Sequence, residues 1–225
     1  SLLLAANGVQ ASELTANAAV SNNYIWRGLT QTVNEVATSG GIDYTAGNGF
    51  YAGTWVSNVS YGADDKFSYE HDIYLGFSVE TDQVSYDIGY LYYNYDDEAN
   101  FDFSEVYGSI GFSGFTFGVF ALVDTEANEG VGQDFGFGKT TYVYADYAFE
   151  VRDGVELGFH IGRHQGDFNE AFNGVPEDYT DYNISLSKDG FSFMISDTDV
   201  DDVGADALDN DQLKFVVGYS VDIEL

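Results

Sequence analysis

The chain has 225 residues, the length of one domain, and carries 38 Asp and Glu against 7 Lys and Arg, a formal charge of −31. That balance excludes a reader of phosphate backbones, which needs clustered Lys and Arg to release counterions. The absence of Cys removes disulfides, zinc-thiolate sites and thiol catalysis, and 17% aromatic residues are too many for an acidic disordered chain.

Residues 1–11, SLLLAANGVQA, stand apart from the rest. Leu2-Leu3-Leu4-Ala5-Ala6 reads as the end of an apolar export-signal core, and Val9-Gln10-Ala11 supplies small residues before a peptidase cut. The expectation is a signal-peptide remnant over 1–11 and a folded body over 12–225. The other reading is a short apolar arm belonging to the fold.

From Glu13 onward the hydrophobic period is two. It predicts about twelve strands, near 13–24, 36–46, 50–61, 67–80, 84–95, 103–113, 115–125, 140–151, 155–165, 179–188, 191–199 and 212–225. Each has the 9–11 residues of a membrane-spanning strand, or somewhat more. In the last, Leu213, Phe215, Val217, Tyr219, Val221, Ile223 and Leu225 alternate with polar or small residues, Val216 excepted. Connections alternate too. Ala46–Gly49, Glu80–Gln83, Ser113-Gly114, Arg152–Gly154 and Lys188–Gly190 are tight hairpin turns, whereas 126–139, 166–178 and 200–211 are long and acidic. Short turns at one end and long loops at the other is the asymmetry of outer-membrane barrels.

Twelve strands enclose more space than side chains alone fill, so an apolar interior would leave a void. Polar-in and apolar-out needs no such void, and closure satisfies every backbone group in lipid. The predicted fold is therefore all-β: a single-domain, up-and-down antiparallel transmembrane β-barrel of about twelve strands.

The segment Ser21-Asn-Asn-Tyr-Ile-Trp-Arg-Gly-Leu-Thr-Gln-Thr32 resembles the S-x-x-Y-x-x-R-G-x-[S/T]-Q signature of the TorF-type porins of proteobacterial outer membranes. Ser39–Tyr44, Gly49–Gly62, Tyr69–Phe77 and Tyr86–Tyr90 look like further blocks of that family, so the likeness covers residues 13–95. It implies an outer-membrane location and a barrel more than it implies a substrate. The terminal Leu225 departs from the Phe usual in barrel-assembly signals.

Strand parity places Asp43, Glu70, Asp72, Asp87, Glu105, Asp124, Asp146, Glu156, Asp181 and Asp222 on the inner face, with Lys214 and Arg27 as the basic residues there. Rings of carboxylates raise local cation concentration and repel anions. Tyr24 and Trp26 read first as interfacial girdle residues, with Arg27 pairing a lipid phosphate or a lumen acid, and alternatively as a constriction in which Arg27 faces the acidic wall. His160 and His164 share a strand face but stand about 13 Å apart, too far to chelate one ion. His71 has the parity of the lipid-facing residues. Asp197, Asp199 and Asp201 suggest a weak calcium-loop spacing. The run lacks Gly at the sixth position and has Leu208 where a bidentate Glu would stand.

These readings predict an outer-membrane diffusion channel for small hydrophilic solutes, cation-preferring and not an enzyme. The alternatives are a plugged structural or adhesive barrel with cation-binding acidic loops, and a barrel enzyme. Implied partners are outer-membrane lipid and lipopolysaccharide and small solutes or cations, with no nucleic acid; Ca2+ or Mg2+ is the only candidate cofactor, at the acidic loops.

Overall fold

The computed structural model describes residues 12–62, 65–175, 178–201 and 208–225; the expected signal remnant at 1–11 lies outside them. Twelve strands form one closed antiparallel barrel: β1 (Glu13–Ser21), β4 (Ala37–Thr45), β5 (Phe50–Asn58), β6 (Tyr69–Glu80), β7 (Ser85–Asn94), β8 (Phe103–Phe112), β9 (Phe115–Thr125), β10 (Thr141–Arg152), β11 (Val155–Gln165), β12 (Tyr179–Lys188), β13 (Phe191–Thr198) and β14 (Lys214–Glu224). Each pairs with its neighbour in sequence, and β1 closes the ring against both β4 and β14. Two further strands, β2 (Ile25–Trp26) and β3 (Leu29–Thr30), make a small separate hairpin, and a short helix α1 spans Asp167–Asn173.

The side-chain alternation resolves in one direction. Leu14, Ile42, Val56, Ile73, Leu75, Phe117, Val119, Val143, Phe159, Ile184, Phe193, Phe215 and Val217 are exposed on the outer wall. A continuous apolar band around a closed barrel is what a hydrocarbon surrounding accommodates. No helix among the described residues is long and apolar enough to cross a membrane; the apolar outer band lies on the strands. Near the tight turns the outer wall carries aromatic pairs, Phe115 on Tyr147 at 4.3 Å and Phe191 on Tyr219 at 4.6 Å, in the position of an interfacial girdle. Val216, out of step in the sequence, is buried on the inner side opposite Met194.

The turns at 46–49, 81–84, 113–114, 153–154 and 189–190 share one end of the barrel with Glu13 and Glu224; the longer connections occupy the other. Asp153 and Gly154, and likewise Asp189 and Gly190, take positive φ at the two centres of their turns, as two-residue hairpins with the strand twist require.

On the inner wall, five glycines lie beneath tyrosine rings of adjacent strands: Gly53 under Tyr74, Gly76 under Tyr51, Gly89 under Tyr107, Gly118 under Tyr144 and Gly162 under Tyr142. A methyl group at any of them would overlap the ring. The missing side chains let these rings lie flat along the wall instead of projecting across the lumen.

Candidate functional site in the barrel interior

The loop end of the lumen is filled. Between β1 and β4 the chain turns inward, and the β2–β3 hairpin places Arg27 and Gly28 at its tip, both with positive φ (47° and 82°). A Cβ on Gly28 would collide with the Asp181 and Thr198 side chains, so only glycine lets the tip press against the β12–β13 wall. Tyr179 Oη donates to the Arg27 carbonyl at 2.8 Å. The hairpin base is tied by Asn23: its Oδ1 accepts from Thr30 Oγ1 at 2.6 Å, and its Nδ2 donates to Asn34 Oδ1 at 2.9 Å. Lys214 Nζ donates to the same Asn34 oxygen at 2.9 Å and to the carbonyls of Leu208 and Asp209, binding the last long loop to the hairpin.

Around this insertion packs an aromatic and apolar core of Val59, Tyr93, Tyr95, Phe103, Leu122, Phe135 and Phe168, with Trp26 and Phe172 against it. Helix α1 supplies Phe168 and Phe172, so residues 166–175 fold into the lumen mouth. The girdle reading of Tyr24 and Trp26 is overturned. Trp26 meets Tyr93, Phe103, His164 and Phe172 edge-on inside the barrel, and Tyr24 Oη donates to Glu70 Oε1 at 2.7 Å. Residues 23–36 lie outside the barrel strands, and the hairpin buries the Tyr24 and Trp26 rings against the interior aromatic core.

Arg27 faces the acidic wall. Its guanidinium makes a two-point contact with Glu105 at 3.0 and 2.6 Å, with both side chains nearly sealed from solvent (5% and 2% exposed). Burial disfavours the charge, but Glu105 beside it outweighs that and holds Arg27 protonated. The Trp26, Tyr142 and Phe120 rings flank the guanidinium at 4.2, 4.5 and 5.0 Å. Burial, then the Glu70 carboxylate, raises the pKa of Tyr24 well above its ordinary value, so the Tyr24 hydroxyl remains a donor.

The other interior residues fall into two levels. At the hairpin level lie Glu70, which also accepts from Tyr95 Oη at 2.6 Å; Asp72, whose Oδ1 is buried without a hydrogen-bonding partner in the protein; and Asp181, which accepts from Tyr142 Oη at 3.0 Å. Toward the turn end the walls are wetter. Asp43 accepts from Asn17 and Tyr74, Asp87 accepts from Tyr51 at 2.7 Å, and Asp146 accepts from His160 Nδ1 at 2.6 Å. Glu156 and Asp222 are inward by register and exposed.

Asp124 departs from the expected inner row. A bulge opposite Ser104 and Glu105 sets Glu105 against Leu122 but Ser104 against Asp124. The extra residue reverses parity, so Leu122 is the buried inner residue and Asp124 stands exposed on the other side.

The acidic loop segment does not assemble a ligand set among the described residues. Asp197 is engaged by Tyr182 Oη and by the Thr198 amide, and Asp199 by the Thr180 amide and Arg163. Asp202 and Asp206 lie outside the described residues. No group of three or more His, Asp or Glu placed to hold a metal ion occurs among those described. His160 and His164 share the inner face, His160 bonded to Asp146 and Asp181 and His164 buried beside Arg27. His71 contacts Thr54 at 2.7 Å; both register with outer-wall residues, Val56 and Ile73.

A closed barrel with an apolar outer band and a polar, aromatic-lined interior defines a porin-like membrane-spanning protein. Known structures agree on the fold. The KdgM porin aligns with a TM-score of 0.53 at 9% identity, over 93% of this chain and 98% of that one. A KdgM porin complex with disordered oligogalacturonate gives 0.54 at 8%, over 96% and 99%. The NanC porin gives 0.52 at 11%, over 94% and 98%. By sequence, residues 5–218 match the family described as "Bacterial protein of unknown function (Gcw_chp)", and the chain belongs to that family. A comparison with curated proteins finds no sequence match.

Proposed function

We propose that this protein is a diffusion channel of the bacterial outer membrane for small hydrophilic solutes, with a preference for cations. The observation that supports the reading is the inner wall toward the turn end, where Asp43, Asp87 and Asp146 are partly exposed and Glu156 and Asp222 exposed. Carboxylates inside a low-dielectric wall focus a negative potential that concentrates cations. The porin-like folds of KdgM and NanC support a channel, as does the likeness of Ser21–Thr32 to the TorF-type porins. The bound oligogalacturonate of the KdgM complex shows a solute interaction in that porin; a polyanion of that kind would be repelled by the wall described here. In this reading the turn end faces the periplasm, the acidic loops face the lipopolysaccharide leaflet, where divalent cations bridge like charges, and the barrel transports rather than catalyses.

One observation favours a second reading. The inserted hairpin and its aromatic core fill the loop half of the lumen, as expected of a plugged structural or adhesive barrel. Planar-bilayer recording separates the two. The channel reading expects steady conductance with a reversal potential favouring cations, fading as salt rises past the screening range. Correctly folded protein without conductance supports the plugged barrel, and anion preference overturns the electrostatic argument.

A further inference from the structure

The wall groups around Arg27 and its partner Glu105 come from five consecutive strands: Glu105 on β8, Phe120 on β9, Tyr142 on β10 and His164 on β11 meet Arg27, and Tyr93 on β7 meets Glu105. Glu105 presents both carboxylate oxygens to the two terminal guanidinium nitrogens, and Tyr93 Oη donates to Glu105 Oε2 at 3.1 Å, fixing its orientation. Phe120 and Tyr142 offer ring faces. A carboxylate fork with ring faces beside it matches a flat, delocalised, weakly hydrated cation far better than a compact ammonium. The group that fills this pocket is not part of the wall. It stands at the tip of a hairpin only two residue pairs long, which shares no strand ladder with the barrel.

We propose that the wall pocket of Glu105, Tyr93, Phe120 and Tyr142 is a guanidinium-binding site, that Arg27 occupies it as a tethered internal ligand, and that free guanidinium-bearing solutes compete with Arg27 for it. Such a solute takes over the Glu105 contact and releases the hairpin tip, which couples solute recognition to opening of the loop half. That transport role rests on the channel reading; the binding site does not.

The test is chemical rescue. Arg27→Ala, refolded in lipid vesicles, is titrated with methylguanidinium and, separately, methylammonium. The expected result is saturable binding of methylguanidinium, at least about tenfold tighter than methylammonium because the planar fork makes two charged bonds where the ammonium makes one. Methylguanidinium should also raise thermal stability, and Arg27→Ala combined with Glu105→Gln should lose both effects. Equal response to the two cations, or rescue that survives Glu105→Gln, overturns the site. If Arg27→Ala folds only when methylguanidinium is present, that dependence supports the proposal. If it folds in neither condition, amide exchange of the wild-type hairpin decides: acceleration by L-arginine but not L-lysine supports the proposal, and no difference refutes it. A barrel that binds methylguanidinium yet never conducts keeps the site and removes the channel.

Discussion

Leu75→Arg places a charge on the outer wall where the structure makes it most costly. Leu75 is the seventh of the twelve residues of β6 and is 49% exposed on the apolar face. At about 3.3 Å per residue it lies roughly 17–20 Å along the strand from either end. With the usual tilt of about 40° that is near 13–15 Å from each rim, the midplane of the hydrocarbon core. Arginine there should destabilise the folded barrel by about 2–4 kcal/mol. Ser78→Arg, three residues on in the same strand, faces inward opposite Asp87, where water and a carboxylate receive the guanidinium, and should cost far less. Reversible urea titration in lipid vesicles, followed by tryptophan fluorescence, measures both. Equal costs, or a larger cost at Ser78, would refute the assignment of inside and outside.

Glu105→Gln strands the buried Arg27 charge, an effect worth about 3–5 kcal/mol, so hydrogen exchange at the hairpin amides should accelerate by roughly two orders of magnitude or more while the barrel amides stay protected. Unchanged exchange would mean that packing alone holds the hairpin. Gly162→Ala pushes the Tyr142 ring off the wall and breaks its bond to Asp181; a loss of about 1–3 kcal/mol in the same refolding titration is expected, and a neutral variant would contradict the interlocking. Partial burial of Asp96 opposes ionisation, but bonds from the Ser68 amide and hydroxyl outweigh it and hold the carboxyl below its ordinary range. Its stabilisation of the start of β6 at Ser68 and Tyr69 is therefore present above the unfolded-state pKa and lost as pH falls through the folded one. The protection factors of these two amides, corrected for the intrinsic pH dependence of exchange, should fall on acidification, and Asp96→Asn should abolish that step.

The period-two pattern fixed the barrel: all twelve wall strands lie within a few residues of their expected bounds, because one face must meet lipid and a one-residue slip would bury every charge in it. The turn residues fixed which connections are tight, since Asp153-Gly154 and Asp189-Gly190 carry the positive φ those hairpins need. Parity alone could not show that at Asp124 a single extra residue in β9 reverses the alternation. The sequence could not show what fills the lumen. Tyr24, Trp26 and Arg27 look the same in sequence whether they belong to a girdle or to a constriction inside the barrel, and Tyr24 even falls within the expected strand at 13–24. Their place is settled by partners 46 and 78 positions away, Glu70 and Glu105, which only closure of the barrel brings opposite them. Likewise Phe168 and Phe172 sit in an acidic loop sequence and reach the core only because the ring of strands surrounds an apolar volume that they can fill.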